Sequence, residues 1–358
     1  MNNQHSAALA PAAAADQAER QGWYLVFTLL IFYIFSFIDR QIISLLVEPI
    51  KRDLQVTDTQ IGLLQGLAFA IFYTLFGIPI GRLADRMNRK TIVGVGVVIW
   101  SLMATLCGLA KNFTQLFLAR IGVGVGEASC APAGQSLIGD MYPPEQRARA
   151  MSIFMLGLPL GLFAAYMLSG NIAKAWGWRA AFFLACAPGL ILAGLALLIR
   201  EPKRGATEQQ PAVRVKAPYR TVLSIPTIWW IILSGIMFNF NAYAVNVFQT
   251  AFLQRFHGLD IAQAANISAV SLGLVGVVGL LVGGWLGDRF RFPSRRLTLA
   301  AVGFLAAAPC VFFALQQPKG GIVVFAILMS VFTMCTFMYY ATVYSALQDV
   351  VPGRTGPR

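Results

Sequence analysis

The chain has 358 residues, of which 57% are hydrophobic and 12% charged. Soluble domains carry about 25% charged residues, so a water-exposed globular fold is excluded and a polytopic helical membrane protein is expected. The formal net charge of +13 is carried mainly by loops between apolar runs, which points to membrane topology and argues against a nucleic-acid partner.

Residues 1–22 are Ala-rich and polar, without a basic start followed by an apolar core, and read as a disordered cytoplasmic tail rather than a signal peptide. Ten apolar spans come next, at 24–47, 60–81, 91–110, 113–138, 149–172, 179–199, 227–253, 264–286, 297–315 and 321–347. Their connections alternate between two sides. One side, with both termini, holds 19 of the 28 Lys and Arg residues, and the other holds 7. The richer side is expected to be cytoplasmic, which places the chain in the cell's inner membrane with its N-terminus inside. Cys107, Cys130, Cys186, Cys310 and Cys335 lie in apolar segments without a CxxC pair, and His5 and His257 are isolated. Neither a disulfide framework, a metal site nor a cofactor is expected.

The order of elements repeats. Gly81-Arg-Leu-Ala-Asp85-Arg86 follows span 2, and Gly284-Trp-Leu-Gly-Asp288-Arg289 follows span 8, with Asp85 and Asp288 separated by 203 residues. Asp140 and Pro143 follow span 4, and Asp349 and Pro352 follow span 10, 209 residues later. Two matches at nearly one offset indicate a duplicated six-helix unit. The expected layout is a first bundle over 23–200, a polar cytoplasmic linker over 201–226 and a second bundle over 227–358. By this period the second bundle would close near residue 409, so the chain stops about 50 residues short, the length of two helices.

The loop Gly81, Asp85, Arg86, Arg89, Lys90 resembles the signature loop of the major facilitator superfamily. The likeness extends to its Spinster-like branch, related to sphingolipid and lysolipid transporters. It is carried by Ile38-Asp39-Arg40-Gln41, Leu46-Val47-Glu48-Pro49-Ile50-Lys51, Gly66 to Ala70, Gly77 to Arg86 and Arg120 to Ala128. The resemblance implies an all-α membrane protein with the major facilitator fold: two pseudo-symmetric six-helix bundles, the second incomplete, with about ten transmembrane helices. It implies a conformational latch at Gly81, Asp85, Arg86, Arg89, Asp288 and Arg289, facing a helix 11 that the chain does not reach. Gly81 would let helix 2 approach a neighbour closely. Asn88 stands where the family has Gly, and its tolerance of left-handed backbone would preserve the turn.

Two sets of charges lie within spans: Asp39 and Arg40 in the first, Arg120 and Glu127 in the fourth. Each costs roughly 2.5–3.5 kcal/mol at bilayer depth on the lenient insertion scale, so such groups persist mainly when paired or facing water. Arg120 and Glu127 are seven residues apart, about 20° from one shared face of a helix. Gly122, Gly124 and Gly126 between them read as a close-packing stripe, since no strand precedes them as a dinucleotide fingerprint would need. Asp39 and Arg40 point about 100° apart, so Arg40 is expected to pair with Glu127, leaving Asp39 to take up and release a proton. A static packing network is the alternative.

Span 7 carries a polar stripe of Asn239, Tyr243, Asn246 and Thr250, and span 10 one of Thr333, Thr336, Tyr340 and Tyr344. With Tyr33, Gln65 and Tyr73, these are the candidate substrate-cavity residues; by resemblance the cavity lies between the halves at the midplane. Aromatics and amides with few fixed charges suit an amphipathic substrate. Gly157-Leu-Pro159-Leu-Gly161 reads as a kink and packing site. The function expected is proton-coupled secondary transport of a lipid-like or amphipathic molecule by a monomer in the bilayer. Competing readings are an organic-anion or sugar-acid symporter, a drug exporter, and a non-transporting sensor or scaffold. No catalytic triad or ATP-binding loop is present, so an enzyme is not expected.

Overall fold

The computed structural model describes residues 3–84, 86–202, 204, 224–289 and 293–350. Side chains are described for these except at 3–19, 144–145, 148, 186–187, 190, 287–288, 293–296, 340–342 and 344–350. In chain order the helices are α1 (Asn3–Leu45), α2 (Val47–Leu54), α3 (Asp58–Gln65), α4 (Phe72–Ala84), α5 (Arg89–Leu109), α6 (Phe113–Glu127), α7 (Cys130–Met141), α8 (Pro144–Met155), α9 (Gly157–Trp176), α10 (Trp178–Leu198), α11 (Pro226–His257), α12 (Ile261–Ser268), α13 (Val275–Arg289), α14 (Pro293–Leu315) and α15 (Ile322–Val350). Two π-helical turns, Leu67–Ile71 and Ala269–Leu274, join α3 to α4 and α12 to α13. Helices satisfy every backbone donor and acceptor within the segment, as a hydrocarbon surrounding demands.

Among the described residues, eight helical stretches are long and apolar enough to cross a membrane: Arg20–Leu45, Asp58–Ala84, Arg89–Leu109, Arg149–Trp176, Pro226–His257, Ile261–Leu286, Leu297–Leu315 and Ile322–Tyr339. The expected spans at 113–138 and 179–199 are also helical. The former is broken into α6 and α7 by a turn at Ala128 and Ser129, and the latter is α10. Helix α1 starts upstream of the expected span, at Asn3, where alanines favour helix.

The fold divides into two compact units. One takes Met1–Arg40, Pro49–Gly161 and Trp176–Ala212; the other takes Gln41–Glu48, Leu162–Ala175 and Val213–Arg358. The core of the first is built from Leu25, Leu29 and Phe32 of α1 against Val93, Val97 and Trp100 of α5, Leu137 of α7 and Phe154 of α8. Close crossings depend on small residues. A Cβ on Gly161 would lie 2.5 Å from the Phe37 Cβ and 2.9 Å from the Ile34 carbonyl oxygen, so α9 meets α1 there almost backbone to backbone. The helix is interrupted just before, at Leu156, three residues ahead of Pro159.

In the second unit, Leu253, Ala264, Ala307, Phe325, Met329 and Phe332 form one apolar cluster, and Ile231, Phe238, Ala300 and Tyr339 another. Phe163 of α9 packs against Gly273, whose Cβ would lie 2.5 Å from the Phe163 Cα. Tyr166 donates to the Asn246 carbonyl at 2.9 Å, and Arg255 donates to Glu48 Oε1 at 2.5 Å.

The repeat found in the loops extends into the helices. Thr57 and Gln60 form a reciprocal cap at the start of α3, and Asp260 and Gln263 form the same cap 203 residues later at the start of α12. The two π turns stand in the same relation, their first residues 202 positions apart.

Asp260 has a second partner. Its Oδ1 accepts from the Gln263 N–H at 2.9 Å and its Oδ2 from Lys174 Nζ at 3.0 Å. The Gln263 N–H, followed by Lys174, holds the carboxyl below the ordinary carboxylate range. A depressed folded-state value means that this stabilisation is complete above the ordinary carboxylate pKa and is lost as pH falls through the folded one. Acidification is expected to speed amide exchange over Ile261–Ser268, after correction for intrinsic rates. Asp260→Asn, which keeps the cap acceptor without a titrating group, should remove that acid step.

Candidate functional site

The charges of α1 and α6 meet inside the first unit. Glu127, at the last turn of α6, is 1% exposed. Its Oε2 accepts from an Arg40 terminal nitrogen at 2.8 Å, from Arg40 Nε at 3.3 Å and from Ser36 Oγ at 2.9 Å. Ser36 and Arg40 are four residues apart and share a face of α1, which is why one carboxylate oxygen reaches both. The Arg40 guanidinium also lies over three rings, 4.8 Å from Phe37, 4.5 Å from Phe69 and 5.0 Å from Tyr73. Cation–π contacts in a desolvated setting of this kind contribute on the order of 1–2 kcal/mol.

Arg120 shares a face with Glu127 but does not pair with it. It is fully buried, and its terminal nitrogens donate to the Asp39 carbonyl at 3.3 Å, the Arg40 carbonyl at 3.3 Å and Gln65 Oε1 at 3.2 Å. The guanidinium therefore holds the backbone of α1 directly at the acidic residue. Asp39 is 2% exposed, and among the described residues neither of its carboxylate oxygens has a hydrogen-bond partner. The site thus combines a formed ion pair, a cation on backbone carbonyls and a buried carboxyl without a hydrogen bond.

The expected cavity residues fall in different settings. Gln65 is buried on Arg120 and belongs to the charge cluster. Tyr33 packs edge-on against Phe37 and stacks on Phe154, and Tyr73 stacks on Phe69. In the second unit, Asn239 and Asn246 donate back to the Gly235 and Ala242 carbonyls of their own helix, at 2.8 and 2.6 Å. Tyr243 is half-buried. Thr250 is buried beside Ser268, and Thr336 donates to the Phe332 carbonyl at 2.7 Å. The side chains of Tyr340 and Tyr344 lie outside the described residues.

The expected latch residues fall in several settings. Asp85 lies outside the described residues, as does the side chain of Asp288. Among the described residues, a Cβ on Gly81 would meet nothing within 4 Å. Asn88 is extended, at φ −66° and ψ 116°, and stands just before α5 without a side-chain capping hydrogen bond, so the left-handed turn expected at this residue is not formed. Arg86 is exposed, and Arg289 lies over the Trp285 ring.

Arg89 is different. It is 1% exposed and pairs with Asp140 and with Glu201, the latter from Nε at 3.1 Å, while donating to Ser136 Oγ at 2.9 Å. The amino-acid sequence does not single out Asp140 and Glu201 as its partners. The recurrence of Asp140 at a repeat-related position is the available sign, though repetition alone does not name a partner.

The fold has known counterparts. Residues 29–356 match the Major Facilitator Superfamily profile. The chain belongs to the major facilitator superfamily. It is 32% identical to a protein of Mycolicibacterium smegmatis described as an "MFS-type efflux pump", covering 78% of this chain and 67% of that one. It is 29% identical to the "Probable L-galactonate transporter" of Escherichia coli, covering 78% and 66%. Its structure is similar to that of a bacterial homolog of the human lysosomal transporter Spinster, crystallised inward-facing and unoccupied. There the TM-score is 0.80 at 33% identity, with 91% of this chain and 75% of that chain covered. The superfamily member described here is an all-helical, multi-pass, Spinster-like membrane transporter. Its fold and relatives are those of transporters and not of enzymes.

Proposed function

We propose that this transporter is proton-coupled and that Asp39 takes up the proton. The observation that carries the reading is the buried Asp39 carboxyl, which has no hydrogen-bond partner among the described residues beside a fully formed Arg40–Glu127 pair. Burying an unpaired carboxylate is costly, whereas transient protonation at such a point gives the alternating-access cycle a switch that the proton gradient can drive. Arg40, Arg120 and Glu127 complete the coupling set. The substrate is a lipid-like or amphipathic organic molecule, and Tyr33, Tyr73, Asn239, Tyr243, Asn246 and Thr336 remain its candidate contacts. Tyr340 and Tyr344 continue the α15 stripe. Rings and amides with few free charges favour such a molecule over a polyanion. The protein works in the cell's inner membrane as a monomer with a cytoplasmic N-terminus, the side on which its basic loops concentrate. Gly81, Arg86, Arg89 and Arg289, with Asp85 and Asp288, serve the conformational change on that side. A second reading, a sugar-acid symporter or a drug exporter, is favoured by the L-galactonate and efflux relatives.

Reconstitution in liposomes with an imposed pH gradient, screened with lysolipids and with hexuronates, separates the readings. For one proton per substrate, each pH unit supports about tenfold accumulation. Asp39→Asn is expected to abolish gradient-driven accumulation while leaving downhill flux. Unchanged pH dependence in that variant removes Asp39 from the role, and no flux of any substrate favours a sensor or scaffold.

A further inference from the structure

The π turn at Leu67–Ile71 touches the charge cluster at three independent points. Gln65, the last residue before the break, accepts from Arg120 at 3.2 Å. Phe69, inside the turn and 1% exposed, lies 4.5 Å from the Arg40 guanidinium and 5.5 Å from that of Arg120, so one ring serves both cations. Gly124 of α6 runs directly against the turn: a Cβ there would lie 2.9 Å from the Phe69 carbonyl oxygen and 3.5 Å from its Cα. The irregularity begins at Gly66, whose φ of −87° and ψ of −82° fit no standard helix. A π turn holds one residue more than the α-helix around it, so when it moves or closes it rotates the helix on its C-terminal side. That helix is α4, which runs without a break from Phe72 to Ala84 and ends at the basic loop.

The second π turn gives a contrast. Ser268, just before that turn, and Ser271, inside it, accept from Gln249 at 3.1 and 2.9 Å, and no charged side chain takes part in that contact. The same irregularity thus exists in a charged and a neutral version.

We infer that Gln65, Phe69 and Gly124 are positioning residues through which the π turn transmits the protonation state of the Asp39 cluster to α4 and the loop at its end. When Asp39 changes charge, the hold of Arg120 on Gln65 and of both arginines on Phe69 changes with it, and the turn re-registers. This rests on Asp39 being the proton-accepting group. The charged and titratable groups around Asp39 and its partners are Arg40 on α1, Arg120 and Glu127 on α6, Tyr73 on α4, Cys107 on α5 and Cys130 on α7.

The test places a bimane fluorophore on Met87→Cys, a half-exposed position just past α4, in the full chain in lipid nanodiscs. Emission is then monitored across the neutral pH range, with the labelled parent chain as background. The reporter is expected to titrate, and Asp39→Asn to abolish that titration. Gln65→Leu and deletion of Ala70, which closes the π turn to an α turn, should each reduce the amplitude about fivefold or more. Leu75→Ala, an exposed site on α4, should leave it intact. Gln65→Leu covers the case in which the deletion does not fold. Full amplitude in Gln65→Leu or in a folded deletion, with Asp39→Asn silent, overturns the transmission role and leaves Asp39 as the proton site. An unaltered titration in Asp39→Asn, or none in the reference, overturns both.

Discussion

Glu127→Gln is expected to destabilise the folded transporter by about 3 kcal/mol, and Arg40→Met by about 5 kcal/mol, the two ends of the range for breaking a buried pair. The order reflects what each variant strands. Without Glu127, Arg40 still lies over Phe37, Phe69 and Tyr73, and 12% of its side chain reaches the surface. Without Arg40, the Glu127 side chain is fully buried and keeps only the Ser36 hydroxyl as a donor to its Oε2 among the described residues. Both losses exceed what the intact pair contributes, because each leaves a desolvated charge. The double variant Arg40→Met with Glu127→Gln should therefore recover most of the loss. Thermal unfolding of the four proteins in one detergent checks this. Additive single losses would show that the two groups are not a coupled pair.

Gly126→Val is expected to cost about 3 kcal/mol or more, at or beyond the top of the usual range for overpacking. A Cβ on Gly126 would lie 2.7 Å from the Trp100 backbone nitrogen and 2.9 Å from the Gly96 carbonyl oxygen. Backbone atoms cannot rotate away as a side chain can, so α5 and α6 would have to part. Gly96 faces the same crossing from the other helix, where an added Cβ would overlap Ser129 Oγ and lie 2.7 Å from the Gly126 carbonyl oxygen. Gly284→Ala is the control. Among the described residues nothing lies within 4 Å of a Cβ there, so that change should be neutral or gain up to about 1 kcal/mol of helix propensity. The yield and melting temperature of the purified proteins rank the two, and equal behaviour would contradict the crossing geometry.

Much of this arrangement is legible in the amino-acid order. Apolar runs of about twenty residues announce the helices, and the G-x-x-x-D-R loops announce the duplication. A charge at bilayer depth needs a partner, and helical phase leaves Arg40 and Glu127 as an available pair, which the fold forms. Arg120 is harder to place: its phase aligns it with Glu127, yet it reaches across to two carbonyl oxygens of α1, and carbonyls carry no residue identity to read. Ser36 is equally hidden, because a serine in an apolar helix looks the same whether it bonds its own backbone or a neighbouring carboxylate. Gln65 reads as a cavity amide until Arg120 is seen to take it. The π turns leave no trace in composition, since one extra residue in a turn of Leu, Ala, Phe and Ile does not disturb an apolar pattern. Gly81 and Gly124 look alike in sequence, but among the described residues only Gly124 is pressed by a neighbour.

The matched π turns bear on the history of the chain. Moving back along the duplication, Tyr243 corresponds to Arg40, Asn239 to Ser36 and Thr336 to Glu127, yet the bend of the helix and its cap survive in both copies. Shape is the shared inheritance, and at these three pairs of positions the formal charges stand in one descendant. Transplanting Arg40, Ser36 and Glu127 onto their counterparts would therefore ask whether an old joint can be taught to answer to charge.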